Sequence, residues 1–548
     1  MIYHPTLIIL TSILALSISY RQEKLFNILA LGMPIIAGIL FYYLPTTNSI
    51  ELYNLTLIYE GSSHNKLIGT AFLLVLFSAN LYAVGQKKYL EIILGSAYAA
   101  FAFLSLLAGD FISMFIGLEL MMVASSAIIF IGGSRTSLRS AKKYFLTHFV
   151  SSNMIIIGIT YLIAKGNSLE LVNVMELMNN PEYSTVILAI MLTGMLINIA
   201  VFPFSGWMVN YYPKASPTGF LYLISFTTKL SVMLLIKLFA GYDLLKYVAI
   251  IMMCYASTKA IFEDNLLSLL CYLSIMSMSV MLLAISSGSD AAIAATVSYL
   301  FIHIIYKSLL SISVASIIDY AQISNCSELK KIHCKILLTG LFIGIAMMIS
   351  IPMAASFYVK SAISQLFSES PIYFIIVLSG FMMVFALPWK GYLFAKKNVQ
   401  LNLNIYSKLS ILFMTIILFI VGILGRYLPV LSELVNFTEI KLLSIEPLKQ
   451  IAIIVMAILL STLYGTTRKH TKPINLIEWI GYTLLYYYRY WTKLQNNKET
   501  VKEPWSFSSL EQQSLSKIST FHSQQTAIFI VVTLFIVMLI GLNYLPST

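Results

Sequence analysis

The chain has 548 residues, of which 59% are hydrophobic and only 11% charged, with a formal net charge of +12. No soluble domain needs that much apolar side chain, and uninterrupted apolar runs of spanning length recur from end to end, so the sequence reads as a polytopic α-helical membrane protein. The same long runs exclude a membrane β-barrel, whose strands alternate, and the excess of lysine and arginine is best spent on loop topology instead of nucleic acid.

In chain order, the expected spans fall near 5–20, 25–44, 66–85, 89–109, 111–132, 144–164, 185–209, 217–240, 246–262, 265–286, 291–318, 336–366, 371–389, 406–428, 449–465 and 526–544. The first run lacks a basic leader and a small-residue cleavage pattern, so it is expected to be a helix and not a signal peptide. Loops alternate in charge. Arg21 and Lys24, Lys87 and Lys88, the Arg135–Lys143 cluster, Lys214, Lys330–Lys335, Lys390–Lys397 and Arg468–Lys472 form one set. Glu51, Glu60, Asp110, Glu170, Asp243, Asp290, Glu369 and Glu433 belong to the other. The positive-inside rule then places both termini outside the cytoplasm. Residues 1–430 form the expected core. Residues 431–548 form an extension with one helix, an aromatic and basic linker around Trp479–Lys493, and a final anchor. That linker suits the headgroup layer, as an interfacial helix steadying the anchor or as a strut against a neighbouring subunit.

Within this hydrocarbon background a few residues stand out. Glu119 lies two turns into the fifth span, Lys229 near the middle of 217–240, His303 and Lys307 one turn apart in 291–318, and Lys360 in 336–366. A charge near the bilayer centre costs ~2.5–3.5 kcal/mol on insertion scales and is retained where it faces a wet interior or a partner. Two spans carry proline where a helix should continue, at Phe202-Pro203 and at Ile351-Pro352. Freed backbone groups at membrane depth persist where protein or water satisfies them, and paired interruptions in two halves of a transporter point to the transport path. Cys254 and Cys271 are expected to be small core residues. No metal site, nucleotide loop, redox centre or other cofactor site is legible, so no catalytic activity of the chain's own is expected.

Several motifs occur in a telling order: Asp110 to Glu119, Gly132-Gly133, Lys143-Tyr144-Phe145-Leu146 with Ser151-Ser152, Phe202-Pro203 with Trp207, Lys229, His303 with Lys307, and Ile351-Pro352 with Phe357 and Lys360. Over about residues 60–400 the chain resembles the antiporter-like membrane subunits shared by Mrp-type multisubunit cation/proton antiporters and the membrane arm of respiratory complex I. The resemblance implies about 14 core helices, two of them broken within inverted repeats, and partner membrane subunits in a bacterial cytoplasmic membrane. It also implies a proton pathway through Glu119, Lys229, His303, Lys307 and Lys360, and exchange of H⁺ for Na⁺ or another monovalent cation. The sequence departs from the family pattern at Asn198, where a lysine usually pairs with the glutamate. It departs again at Val209, Leu267, Ser279, Ser350 and Ser356. Three readings follow: an antiporter subunit similar to the D type, a proton-translocating subunit of a redox-driven complex, and a divergent scaffold in which loss of the lysine at Asn198 has silenced proton input.

Overall fold

The computed structural model describes residues 4–424, apart from 53, 54, 353, 394 and 396, and residues 445–464. The expected linker and the anchor at 526–544 lie outside the described residues. The chain opens with α1 (Pro5–Ile18) and α2 (Glu23–Tyr42), turns through a hairpin of β1 (Thr47–Leu52) and β2 (Leu55–Glu60), and continues as α3 (Ser63–Gly85), α4 (Tyr89–Leu106), α5 (Phe111–Phe130) and α6 (Arg135–Ala164). Next come α7 (Val174–Met178), α8 (Thr185–Asn198), α9 (Gly206–Tyr211), α10 (Pro217–Leu223), α11 (Thr227–Phe239), α12 (Leu244–Phe262), α13 (Leu266–Ile285) and α14 (Asp290–Ala321). The last part holds β3 (Lys331–His333), α15 (Lys335–Met348), α16 (Ala355–Gln365), α17 (Ile372–Phe385), α18 (Trp389–Leu393), β4 (Asn398–Gln400), α19 (Ile405–Phe419) and α20 (Ile445–Tyr464).

Among the described residues, 10 helices are long and apolar enough to cross a membrane, and five shorter apolar helices accompany them. These coincide with the first fifteen expected spans. Polar caps explain where several begin. Asp110 accepts from Ser113 N, Ser134 from Ser137 N, Asn265 from Ser268 N, and Ser216 caps α10 just ahead of Pro217. Each cap satisfies an N–H that the first turn leaves unbonded, which matters more where water is scarce. The arrangement has a centre and a rim. The most apolar stretch of α13 is 100% buried and that of α14 is 94%, against 33% for α2. A helix that is apolar all round and buried all round has protein on every side, whereas α2 keeps one flank for lipid.

Small sheets close both ends, a feature the hydropathy pattern did not announce. The antiparallel β1–β2 hairpin bonds onward to the α4–α5 turn, with Glu60 N donating to Leu107 O and Gly109 N to Ile58 O. Lys237 reaches the same place: its Nζ lies 3.3 Å from Glu60 Oε2 and donates to Leu106 O and Ala108 O. At the basic end, β3 pairs in parallel with β4. Cys271 is buried as expected, but Cys254 is exposed on the outer side of α12, so the expectation of a core cysteine there is corrected. An apolar helix in a bilayer can turn a small thiol to lipid, and composition alone does not distinguish the two sides.

Both spans expected to break at a proline are broken there, whereas Pro34 lies inside the unbroken α2. The α8–α9 interruption ends α8 at Asn198, places Ala200 at φ +61°, and contains a cis Phe202–Pro203 bond. The α15–α16 interruption ends α15 at Met348 and places Ser350 at φ +57°. Their closing hydrogen bonds match. Ala200 N donates to Ile197 O and Val201 N to Leu196 O, while Ser350 N donates to Met347 O and Ile351 N to Ala346 O. A left-handed residue closing a helix in this way releases the chain in a new direction without orphaning its last N–H groups. A third interruption was not expected. The span at 217–240 is split into α10 and α11 by Ile224, Ser225 and Phe226, with no proline at the split.

Candidate functional site

At every interruption a side chain of the expected motifs donates to a carbonyl beside the gap. Trp207 Nε1 donates to Ile197 O at 2.8 Å across the first break. Lys229 Nζ donates to Ile224 O at 2.5 Å across the α10–α11 split and to Thr228 Oγ1 at 3.2 Å. Lys360 Nζ donates to Met348 O at 3.0 Å across the last break and stands over the Tyr299 ring, 5.4 Å from its centroid. Lys229 thus stands near the middle of the span Pro217–Phe239, in the first turn of α11 and beside the gap. On the other side of that gap, Thr227 N donates to Tyr98 Oη at 3.1 Å, and the hydroxyls of Tyr98 and Thr227 are bonded to each other.

The central lysines are fully enclosed. Lys229 and His303 are 0% exposed and Lys307 1%. Among the described residues no salt bridge reaches Lys229, Lys307 or Lys360. An enclosed cation without a counter-charge is costly, and ionisable groups at such depth mark ion or proton routes. His303 lies within electrostatic reach of Lys229, Lys307 and Lys360 together, and Cys271 within reach of Lys229 and Lys307. His303 Nδ1 is 2.8 Å from Tyr306 Oη, which in turn is 3.2 Å from Ser277 Oγ on α13. On α14, His303 Nε2, Lys307 Nζ and Ser311 Oγ are buried polar atoms with no hydrogen-bond partner among the described residues. Their spacing of four places them on one helical face. Three such atoms in file are what the walls of a water thread present, since buried polar groups otherwise find partners. Ser311 was missed by the sequence reading; its regular spacing from Lys307 was the available signal.

The two ends of the expected row differ from its centre. Lys360 is half-buried. Glu119 is also half-buried, with its Oε1 shielded and unpartnered, so it is not the enclosed carboxylate that its place in the sequence suggested. Asn198, the altered position, is buried at the end of α8 and is occupied: its Oδ1 lies 2.9 Å from His148 Nδ1 and 3.0 Å from Ser151 Oγ. His148 is a residue that sequence reasoning passed over. It sits on α6 between the rings of Tyr144 and Trp207, at centroid distances of 4.3 and 4.6 Å. Thus the structure groups Lys229, His303 and Lys307 closely, brings Lys360 within reach through Tyr299, and joins Asn198 to His148; no contact joins Glu119 to Asn198.

The comparisons with known proteins bear on the family and the fold. A family model described as NADH:quinone oxidoreductase/Mrp antiporter, TM, matches residues 108–386. The chain is 25% identical over 446 residues to NADH-quinone oxidoreductase subunit N of Pelagibacter ubique, covering 76% of this chain and 93% of that protein. It is 24% identical over 331 residues to subunit M of Rickettsia prowazekii, covering 57% and 66%. Its fold is similar to a chain of the Mrp complex from a Dietzia species, with a TM-score of 0.71, 15% identity, and coverage of 82% of this chain and 99% of that one. A chain of an archaeal membrane-bound sulfane sulfur reductase gives a TM-score of 0.68 at 14% identity, covering 84% and 99%.

Proposed function

The chain belongs to the NADH:quinone oxidoreductase/Mrp antiporter transmembrane family, and on that basis we propose that it is a membrane subunit of a multisubunit monovalent cation/proton antiporter. Protons travel along Lys229, Lys307 and His303 to Lys360, and Glu119 meets the neighbouring subunit or an entry path. The supporting observation is the enclosed set of Lys229, His303 and Lys307, with unpartnered polar atoms aligned on α14 and no carboxylate paired to either lysine among the described residues. Sodium is the proposed counter-ion and a bacterial cytoplasmic membrane the proposed location. The test is flux. The assembly containing this chain, in vesicles under an imposed pH gradient, exchanges Na⁺ for H⁺; Lys229→Ala removes the exchange. Vesicles that carry the intact assembly and show no cation-dependent proton movement contradict the proposal.

A second reading has its own support: the curated relatives quoted above are NADH-quinone oxidoreductase subunits N and M. Under it the same row of side chains moves protons in a redox-driven complex, and the assembly co-purifies with flavin and iron–sulfur subunits. A scaffold role, suggested by Asn198, requires that Lys229→Ala and Lys360→Ala leave transport intact.

A further inference from the structure

At the first break, the chain places an amide at position 198 and a histidine against it. Asn198 Oδ1 accepts from His148 Nδ1 at 2.9 Å. With the proton on Nδ1 committed there, the free lone pair belongs to Nε2. That atom is buried and has no hydrogen-bond partner among the described residues, although the whole side chain is only 4% exposed. His148 and Asn198 both line a small cavity with about 10 Å³ open to a water centre, room for roughly one water. Opposite them, α5 contributes Leu118, Met121 and Met122, and α11 contributes Thr227, two residues before Lys229. The titratable or polar groups facing the ring are few. Tyr144 and Ser152 come from its own helix, Trp207 from α9, Asn198 from α8 and Thr227 from α11; on α5, Glu119 is adjacent in sequence to the lining Leu118 but does not line the cavity.

We propose that His148, positioned by Asn198, is the proton-carrying residue of the first break and hands protons across the cavity toward the α10–α11 split that holds Lys229. Nε2 takes up one proton to give an imidazolium that keeps Nδ1–H on Asn198, and releases the same proton from Nε2. The pair does the work of a single basic side chain with two neighbours on separate helices. Ser151, whose hydroxyl lies 2.7 Å from Gly194 O and 3.0 Å from Asn198 Oδ1, fixes the amide so that the ring keeps one tautomer.

This inference rests on the proposed transport function, and the experiment separates the two. Proton flux under an imposed pH gradient is measured for vesicles holding the intact assembly, as wild type, Lys229→Ala, His148→Gln and His148→Gln/Asn198→Lys. Glutamine keeps a donor for Asn198 but carries no proton. The expected result is flux in wild type, none in Lys229→Ala, a fall of about tenfold or more in His148→Gln, and partial recovery in the double variant. Wild-type flux and an unchanged pH profile in His148→Gln, with Lys229→Ala inactive, overturn the inference and leave the transport reading standing. No flux in wild type overturns that reading first. Should His148→Gln fail to assemble, Asn198→Leu provides the second arm, since it keeps the imidazole and removes its acceptor. Retained flux with a displaced pH profile supports the proposal, and a profile that superimposes on wild type overturns it.

Discussion

The α8–α9 and α15–α16 breaks close with the same backbone hydrogen bonds, 150 residues apart, yet hold different chemistry. At the last break Lys360 sits on the freed carbonyl of Met348, and Gln450 Nε2 of α20 donates to Ile349 O at 3.0 Å. At the first break the neutral Trp207 N–H serves Ile197 O, and the corresponding end of α8 is Asn198, bound to His148. The interruption is thus a backbone device that needs a donor but not a charge. Once a neutral donor holds the break open, the titratable group is free to stand on another helix. An asparagine at position 198 therefore leaves room for a titratable group at the first break, with His148 standing on the neighbouring helix.

The largest effect expected from this contrast is on flux. Lys360→Met removes both the donor to Met348 O and the proposed proton carrier, so proton movement in reconstituted vesicles falls by roughly 100-fold or more. Asn198→Leu, at the corresponding break, lowers it only a few-fold, because the imidazole of His148 remains. Equal losses at the two positions, measured with the same pH-sensitive dye, would break the asymmetry.

Stability gives the next contrast. Trp207→Phe keeps most of the ring volume and removes one of two donors to Ile197 O, which still accepts from Ala200 N, so about 0.5–1.5 kcal/mol, the net worth of one hydrogen bond, is lost. Gln450→Leu takes from Ile349 O the donor it has among the described residues, so the larger loss, about 1–3 kcal/mol, is expected there. Thermal midpoints in one detergent decide it. A larger drop for Trp207→Phe would show that the tryptophan braces the first break more firmly than its shared carbonyl implies.

Much of the scaffold was legible because hydrocarbon length and proline chemistry are local. Fifteen expected spans correspond to helices, and Pro203 and Pro352 marked two breaks. What stayed hidden depends on contacts far apart in the chain. The split before Lys229 has no proline; it is held by Tyr98, 129 residues earlier, and by the lysine itself. His148 lies inside the expected span 144–164, just after the basic stretch Arg135–Lys143, and nothing near it in sequence marks its partner. Only the end of α8, folded beside it, shows that Tyr144, His148 and Ser151 form an inward polar stripe. Glu119 and Lys360 lie in apolar runs like those around Lys229, and a run does not reveal which of its sides faces protein. The β1–β2 hairpin was missed because its residues, Thr47 to Glu60, are too mixed in polarity to register as a span and too few to register as a domain.

The smallest prediction tests whether the two breaks are the same device. Ala200 and Ser350 both hold a left-handed backbone, φ +61° and +57°, where a side chain meets the carbonyl oxygen and glycine does not. Replacing each by glycine relieves about 1 kcal/mol of conformational strain and returns part of that as added freedom of the unfolded chain. The net gain at Ala200→Gly should therefore be only a few tenths of a kcal/mol. Ser350 carries a further burden: its Oγ is buried with no hydrogen-bond partner among the described residues. Deleting that hydroxyl removes an unmet polar group, which costs about 1–3 kcal/mol where it is buried. Ser350→Gly should then raise the thermal midpoint more than Ala200→Gly. If the order is reversed, the Ser350 hydroxyl has a stabilising partner, and the two breaks share their backbone path but not the way their side chains are satisfied.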